Sequence, residues 1–359
     1  MPTDSLRRIG LLLFILFFLL VAETSAAGWV NIFVYHRFGD SRYPSTNISL
    51  DDFAAHLEIL KQEKVVVLPL GEVVRRLRSN SLLPERCAVL TVDDGYDTFL
   101  SGAMPLLRRY GFPATLFVST GSIGKTGYLT WRDLTSLAAE GIEIGNHTHG
   151  HDYLVDRREN ESEEEWLKRI EKDIACAQTL FRKNLGIEPR LFSYPFGEYV
   201  PEVVDLLVRC GFSGAVVQHS GTVDQATDPF LIPRFAMGAS YGNPDNFLIK
   251  LRMRPLPVTV IDPPSPLLGS DNPPSLQLQI TSSDADLSRL RCYVGGRESV
   301  VIQKVPGFPE RRLILAGKPL TSRRTTYVLT APSRDGKEWY WFSHLWIKKG
   351  RVASGAGYG

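Results

Sequence analysis

Ala88-Val89-Leu90-Thr91-Val92 passes directly into Asp93-Asp94-Gly95. The first five residues read as a hydrophobic strand, and the glycine permits a tight turn at its end. Consecutive side chains leave a strand end in different directions. One carboxylate can therefore bind a cation while its neighbour faces a bound water. An Asp-Asp-Gly turn alone is most often a solvated turn, so its weight depends on what surrounds it in the chain.

Apolar runs at 30–34, 65–68, 114–118, 142–145, 191–194 and 214–217 read as further strands, with 231–234 as an eighth. Helical runs separate them. Ser49 with Asp52 three residues on resembles a capping box for a helix through Lys61. Trp166, Ile170, Ile174, Ala177 and Leu180 recur at helical spacing within 164–183. Pro201 starts a helix through Arg209, and Gly211 ends it. Strands alternating with helices imply a parallel sheet. About seven parallel strands can close or nearly close a barrel, so the expected fold is α/β, a (β/α) barrel over residues 28–253.

Two more fragments sit at strand ends on the same edge. His147-Thr148-His149-Gly150-His151 follows the run at 142–145, and Ser193-Tyr194-Pro195-Phe196-Gly197 takes in the end of the run at 191–194. Barrels of this kind place their sites at the C-terminal ends of the strands. His147 and His151 are spaced to share one face of a helical turn or a tight loop, and neutral imidazole is a common ligand for zinc and similar metals. Three histidines in five residues is uncommon in a chain with 7 in all. His149 lies between the other two and is expected to point away.

With these fragments the chain resembles the polysaccharide deacetylase family, carbohydrate esterase family four, over roughly residues 30 to 235. The family's Thr-Phe-Asp-Asp-Gly is matched by Thr91-Val92-Asp93-Asp94-Gly95. Its His-Ser/Thr-x-x-His is matched by His147 to His151. Its Arg-x-Pro-Phe/Tyr-Gly is matched by Ser193-Tyr194-Pro195-Phe196-Gly197, with Ser193 in place of the arginine.

The resemblance implies a distorted (β/α) barrel and a divalent metal, zinc first, with cobalt or nickel also able to bind. Asp94, His147 and His151 would be its ligands, and Asp93 the general base acting on the metal-bound water. The metal and the backbone N–H near Phe196 would stabilise the oxyanion, with Tyr194 and His36 beside the substrate. The family's arginine orients the base, and Arg234 in Ile232-Pro233-Arg234-Phe235 is the candidate to replace it. The family's general acid is a histidine in a late Leu-x-His motif. The closest string here is Val217-Gln218-His219, with His36 in Tyr35-His36-Arg37-Phe38 as the rival. The Tyr-His opening and the absent arginine resemble the branch acting on exported poly-N-acetylglucosamine. Weak general-acid equipment implies slow turnover.

The function that follows is an exported, metal-dependent carbohydrate N-deacetylase acting on acetamides of N-acetylglucosamine polysaccharide. A peptidoglycan or chitin-oligomer deacetylase is the alternative. A non-catalytic glycan-binding protein that keeps the metal site is the rival from another class.

The rest of the chain bounds this reading. Arg7 and Arg8 precede an apolar stretch at 10–22, and Ser25-Ala26-Ala27 supplies a small-x-small cleavage pattern, so 1–27 reads as a signal peptide. The stretch falls short of the roughly 20 residues of a spanning helix, although a signal anchor or peripheral membrane association stays open. Periplasm, cell surface or secretion is the expected location. A net charge of +2 gives no case for nucleic acid, and a monomer is expected. Cys87, Cys176, Cys210 and Cys292 form no CxxC pair, and Cys87, Cys176 and Cys210 read as buried free thiols. The glycosylation sequons at Asn47, Asn146 and Asn160 read as chance.

Prolines crowd 254–274, which reads as a linker. Runs at 276–280, 290–294, 299–304, 312–315, 325–330 and 338–347 read as a small all-β sandwich of immunoglobulin-like type over 275–349, followed by a flexible tail at 350–359. Alternation puts Trp339 and Trp341 on one face of its last strand and Tyr340 and Phe342 on the other. Core or interdomain packing is expected for these rings, with sugar stacking as the alternative.

Overall fold

The computed structural model describes residues 28–281, 284–296 and 298–350. The signal-peptide reading of 1–27 and all of the tail beyond Gly350 lie outside these residues.

Six strands form a parallel run in chain order. They are β1 (Trp29–Tyr35), β2 (Arg86–Val92), β3 (Thr115–Val118), β4 (Glu143–Asn146), β5 (Leu191–Ser193) and β6 (Gly214–Val216). The short strands Val66–Val67 and Phe235–Ala236 join parallel to β2 and β1, and Thr222–Val223 joins β1 antiparallel. The result is a curled, mostly parallel α/β sheet. The strand expected at 231–234 is reduced to a bridge between Val216 and Ile232, and pairing resumes at Phe235. Pro233 has no N–H to give to a ladder, which accounts for the break.

Register lines up the edge that carries the three fragments. Tyr35 pairs with Val92, Val118 with Asn146, and Ser193 with Val216. The residues that follow, His36, Asp93 and His147, therefore emerge side by side. The sheet interior is layered. Val30, Ile32, Val89, Phe117, Leu191 and Val216 form an apolar cluster with Val73, Val74 and Leu77 of the Leu70–Arg78 helix. Alternation from Val89 carries Thr91 and Asp93 inward, above that apolar layer.

The helices match their signals. Ser49 caps Leu50–Gln62 by accepting from the Asp52 N–H, and Ser162 with Glu165 forms a capping box on Glu163–Leu185. The latter helix buries Trp166, Ile170, Ile174, Ala177 and Phe181. Pro201–Arg209 forms where expected.

Beyond the barrel, Val258–Asp262, Ser275–Ile280, Val301–Val305 and Phe308–Leu315 make an antiparallel sheet. A second sheet contains Arg254–Pro255, Arg291–Val294, Glu298–Ser299, Arg324–Pro332 and Trp339–Ile347. Both sheets contribute to one core, with Leu276, Leu278 and Ile314 from the first and Tyr327, Leu329 and Trp346 from the second.

Residues 254–274, expected as a linker, thus contain two strands. Val258–Asp262 is an edge strand, where flanking prolines cost no ladder hydrogen bond. Trp341 turns toward the barrel and donates to the Ser220 carbonyl (3.3 Å), while Tyr340 and Trp346 enter the core between the two sheets. The four cysteines are free.

Candidate active site

Asp93 is buried, and its backbone N–H donates to the Tyr35 carbonyl at 3.0 Å. Arg234 meets its carboxylate with two parallel bonds, Nη1 to Oδ1 at 2.8 Å and Nη2 to Oδ2 at 2.7 Å. The guanidinium also donates to Thr91 Oγ1 (3.2 Å), Ser193 Oγ (3.1 Å) and the Val217 carbonyl (3.0 Å). Ser193 Oγ donates to Asp93 Oδ2 at 3.1 Å. Burial alone would raise the Asp93 carboxyl, but the Arg234 charge and hydrogen bonds outweigh it and hold the group below the ordinary carboxylate value. Ser193, where the resembled family has its arginine, thus shares the carboxylate with an arginine from a different part of the barrel rim.

Asp94 leaves the strand end by a different route. Its φ is 76° and that of Gly95 is 80°, so the chain turns through two successive left-handed residues. Its Oδ1 lies 3.3 Å from His147 Nε2 and 3.2 Å from His151 Nε2, and the two Nε2 atoms are 3.1 Å apart. His147 Nδ1 faces the Ser193 carbonyl at 2.7 Å. A carbonyl only accepts, so Nδ1 carries a proton and Nε2 is the nitrogen turned to the cluster. A carboxylate oxygen and imidazole nitrogens converging this closely fit a divalent cation, and these three side chains form the ligand-like cluster found among the described residues.

The histidines sit on a tight loop. Thr148 and His151 have φ of 68° and 58°. Asn146 Oδ1 accepts from the Thr148 N–H at 2.7 Å, and Thr148 Oγ1 accepts from the His151 N–H at 2.9 Å. Asp173, on the Glu163–Leu185 helix, accepts from the His149 and Gly150 N–H groups at 2.8 Å each. His149 turns away to Thr120 Oγ1, 2.9 Å distant. Asn146 is fully buried, which agrees with reading its sequon as chance.

Phe196 has φ of 59°, and among the described residues its N–H has no hydrogen-bond partner. Its ring packs edge-on to His151, with centroids 4.7 Å apart. Among the described residues, four of the eight non-glycine residues with positive φ (Asp94, Thr148, His151 and Phe196) surround this one site, where strained backbone commonly concentrates.

The remaining candidates divide. His36 follows β1, and the charges of Asp94, Asp93, Arg234 and His147 all act on it. Desolvation dominates and lowers its pKa. His219 is not brought to this cluster. Beyond β6 the chain swings toward Thr222–Val223, and the His219 ring faces Ser343 Oγ at 3.3 Å. Burial pushes its pKa down to about 4. Tyr194 is also turned away, fully buried, with its hydroxyl donating to the Phe230 carbonyl at 3.2 Å. The fragment containing it turns at Pro195, so Phe196 lies against the histidines while Tyr194 stays in the core.

Sequence reasoning missed Asp173, whose only signal is a carboxylate on the solvent side of an amphipathic helix. It also missed Glu198, Arg323 and Arg324, which act across long separations in the chain.

Residues 81–215 match the family model described as Polysaccharide deacetylase. The chain is 26% identical over 220 residues to YxkH of Bacillus subtilis (strain 168), covering 59% of this chain and 75% of that protein. It is 22% identical over 214 residues to the poly-beta-1,6-N-acetyl-D-glucosamine N-deacetylase of Staphylococcus aureus (strain MRSA252), covering 58% and 73%. The deacetylase PplD of Streptococcus pyogenes, solved in complex with acetate, shares the fold with a TM-score of 0.56 and 23% identity, over 63% of this chain and 99% of that one.

Proposed function

The chain carries a polysaccharide deacetylase domain, and from that premise we propose that it is an exported, metal-dependent carbohydrate N-deacetylase. Its substrate in this reading is an N-acetylglucosamine polysaccharide, from which it releases acetate. The observation that carries the proposal is the pairing of two carboxylates with different partners. Asp94 faces His147 and His151, while its neighbour Asp93 is gripped by Arg234.

Asp94, His147 and His151 would hold the cation. A divalent ion bound there would lower the pKa of a water and polarise the acetamide carbonyl. Zinc suits two imidazoles and a carboxylate, and cobalt or nickel would also bind. Asp93 is the base. Arg234 and Ser193 leave Oδ1 with an unused lone pair to accept the proton of the attacking water. The same contacts keep Asp93 ionised at neutral pH. The free Phe196 N–H donates to the developing oxyanion. His36, beside the cluster, is the better-placed group to protonate the leaving amine, and its lowered pKa leaves little of it protonated at neutral pH. Modest turnover is expected.

Support for the glycan comes from the named activity of the Staphylococcus aureus relative. Export rests on the sequence pattern of residues 1–27, and no helix among the described residues is long and apolar enough to cross a membrane. The C-terminal sheets are taken as an immunoglobulin-like accessory to the barrel. The test is acetate release across a panel of acetylated glucosamine polymers with zinc, cobalt or nickel. Release from peptidoglycan or chitin oligomers alone would move the assignment to the alternative substrate.

A further inference from the structure

Two arginines from outside the barrel reach the Phe196 turn. Arg323 immediately precedes the Arg324–Pro332 strand of the C-terminal sheets. Its Nε and Nη2 grip Glu198 Oε1 and Oε2 at 2.8 and 2.6 Å, and its Nη1 reaches Asp156 Oδ2 at 2.9 Å. Glu198 is fully buried, and desolvation raises its pKa even against the arginine. The Arg323 guanidinium lies 3.7 Å over the Tyr153 ring. Tyr153 stacks on Phe196 with centroids 3.9 Å apart and planes within 16°, and Phe196 in turn packs on His151. Arg324 Nη1 donates to the Phe196 carbonyl itself.

We infer that Arg323 and Arg324 are positioning residues, and that the C-terminal sheets complete the active site by holding the Phe196 turn. This rests on the reading of the Phe196 N–H as the oxyanion donor. The physical argument is local. A non-glycine residue at φ of 59° relaxes unless its surroundings over-determine it. Here Arg324 pins the peptide after Phe196, Tyr153 clamps its ring, and Arg323 ties both Tyr153 and Glu198 to one guanidinium. The peptide before Phe196 is held as well, because the Glu198 N–H donates to the Pro195 carbonyl at 3.3 Å, and with both sides of the Phe196 Cα fixed its N–H keeps one direction. The barrel motif supplies the turn, and the second structural unit supplies its rigidity.

The test uses the full chain loaded with zinc, as wild type, Arg324→Ala and Arg324→Lys. Arg324 is partly exposed, so its replacement spares the core. Two readouts are taken: amide hydrogen exchange of the peptide 194–200, and kcat and KM for acetate release from an N-acetylglucosamine oligomer. In Arg324→Ala, exchange in 194–200 is expected to rise about tenfold or more while β2 is unchanged. The kcat value falls about tenfold with KM nearly constant. Arg324→Lys, which still offers a donor to the carbonyl, restores most of both. Unchanged exchange in 194–200 overturns the inference whatever the activity. Faster exchange with wild-type kcat also overturns it. A wild type that releases no acetate counts against the deacetylase reading, and the exchange data still decide the positioning.

Discussion

Arg234 and Asp93, far apart in the chain, form a two-bond ion pair from which solvent is excluded. Burying both charges is expensive, and such a pair is weak evidence of added stability. Its geometry is what matters, because the planar fork fixes the carboxylate plane and leaves one lone pair toward the cluster. Arg234→Ala strands a buried carboxylate with only Ser193 as donor. A loss of about 3–5 kcal/mol in unfolding free energy is expected, with turnover down about a hundredfold from misplacement of the base. Arg234→Lys keeps the charge but loses the fork, and should fall between the two. Denaturant unfolding and acetate release check both variants. Wild-type turnover in a folded Arg234→Ala would remove the arginine from the account.

Asp173 holds the histidine loop by two backbone N–H groups, those of His149 and Gly150, rather than through His147 or His151. Asp173→Ala frees the loop to leave its left-handed conformation. Supports of this kind commonly change metal affinity by about 10- to 100-fold, and a loss in that range is expected by competition with a zinc indicator. Unchanged affinity would mean that Asn146 and Thr148 suffice to hold the loop.

Most of this arrangement was legible in the sequence, for a physical reason. Strand runs, capping pairs and turn residues are local signals, so the parallel sheet, the helices and the edge carrying Asp93 and His147 could be read from short windows. Arg234 is a candidate from sequence because a missing arginine demands a replacement near another strand end, and the structure adds its contact with Asp93. The signal failed where three-dimensional direction decides the role. His219 and Tyr194 occupy plausible places in the sequence, yet one turns to Ser343 and the other to Phe230. Composition does not reveal the strands within the proline-rich stretch, because an edge strand tolerates flanking prolines. Arg323 and Arg324 carry no local signal at all, since their partners Glu198 and Phe196 lie on the barrel.

Half-buried His219 and buried His344, between barrel and C-terminal sheets, make stability depend on pH. Burial pushes His219 down to about 4 and His344 down to about 3, against roughly 6.5 in an unfolded chain. Above that value both states are neutral and nothing is lost. As pH falls through 6.5, the unfolded chain binds protons that the fold refuses, and stability declines until the folded values are reached. The loss by pH 4.5 is on the order of 2 kcal/mol for each ring. Denaturant unfolding at pH 7 and pH 4.5 should show this decline. The double variant His219→Gln with His344→Phe should make it shallower, with buried His56, also pushed down to about 4, still contributing, and an equally steep decline in that variant would contradict the assignment.

The most direct measurement is acetate released from acetylated poly-glucosamine by the zinc-loaded chain, with Asp93→Asn alongside. Steady release by the wild type is expected. Release by Asp93→Asn should be lower by about 100-fold or more, with its zinc content unchanged, since Asp94, His147 and His151 remain. A wild type that binds zinc stoichiometrically and yields no acetate with any metal, acetylated polymer or pH would contradict the account and leave a glycan-binding protein with a retained metal site.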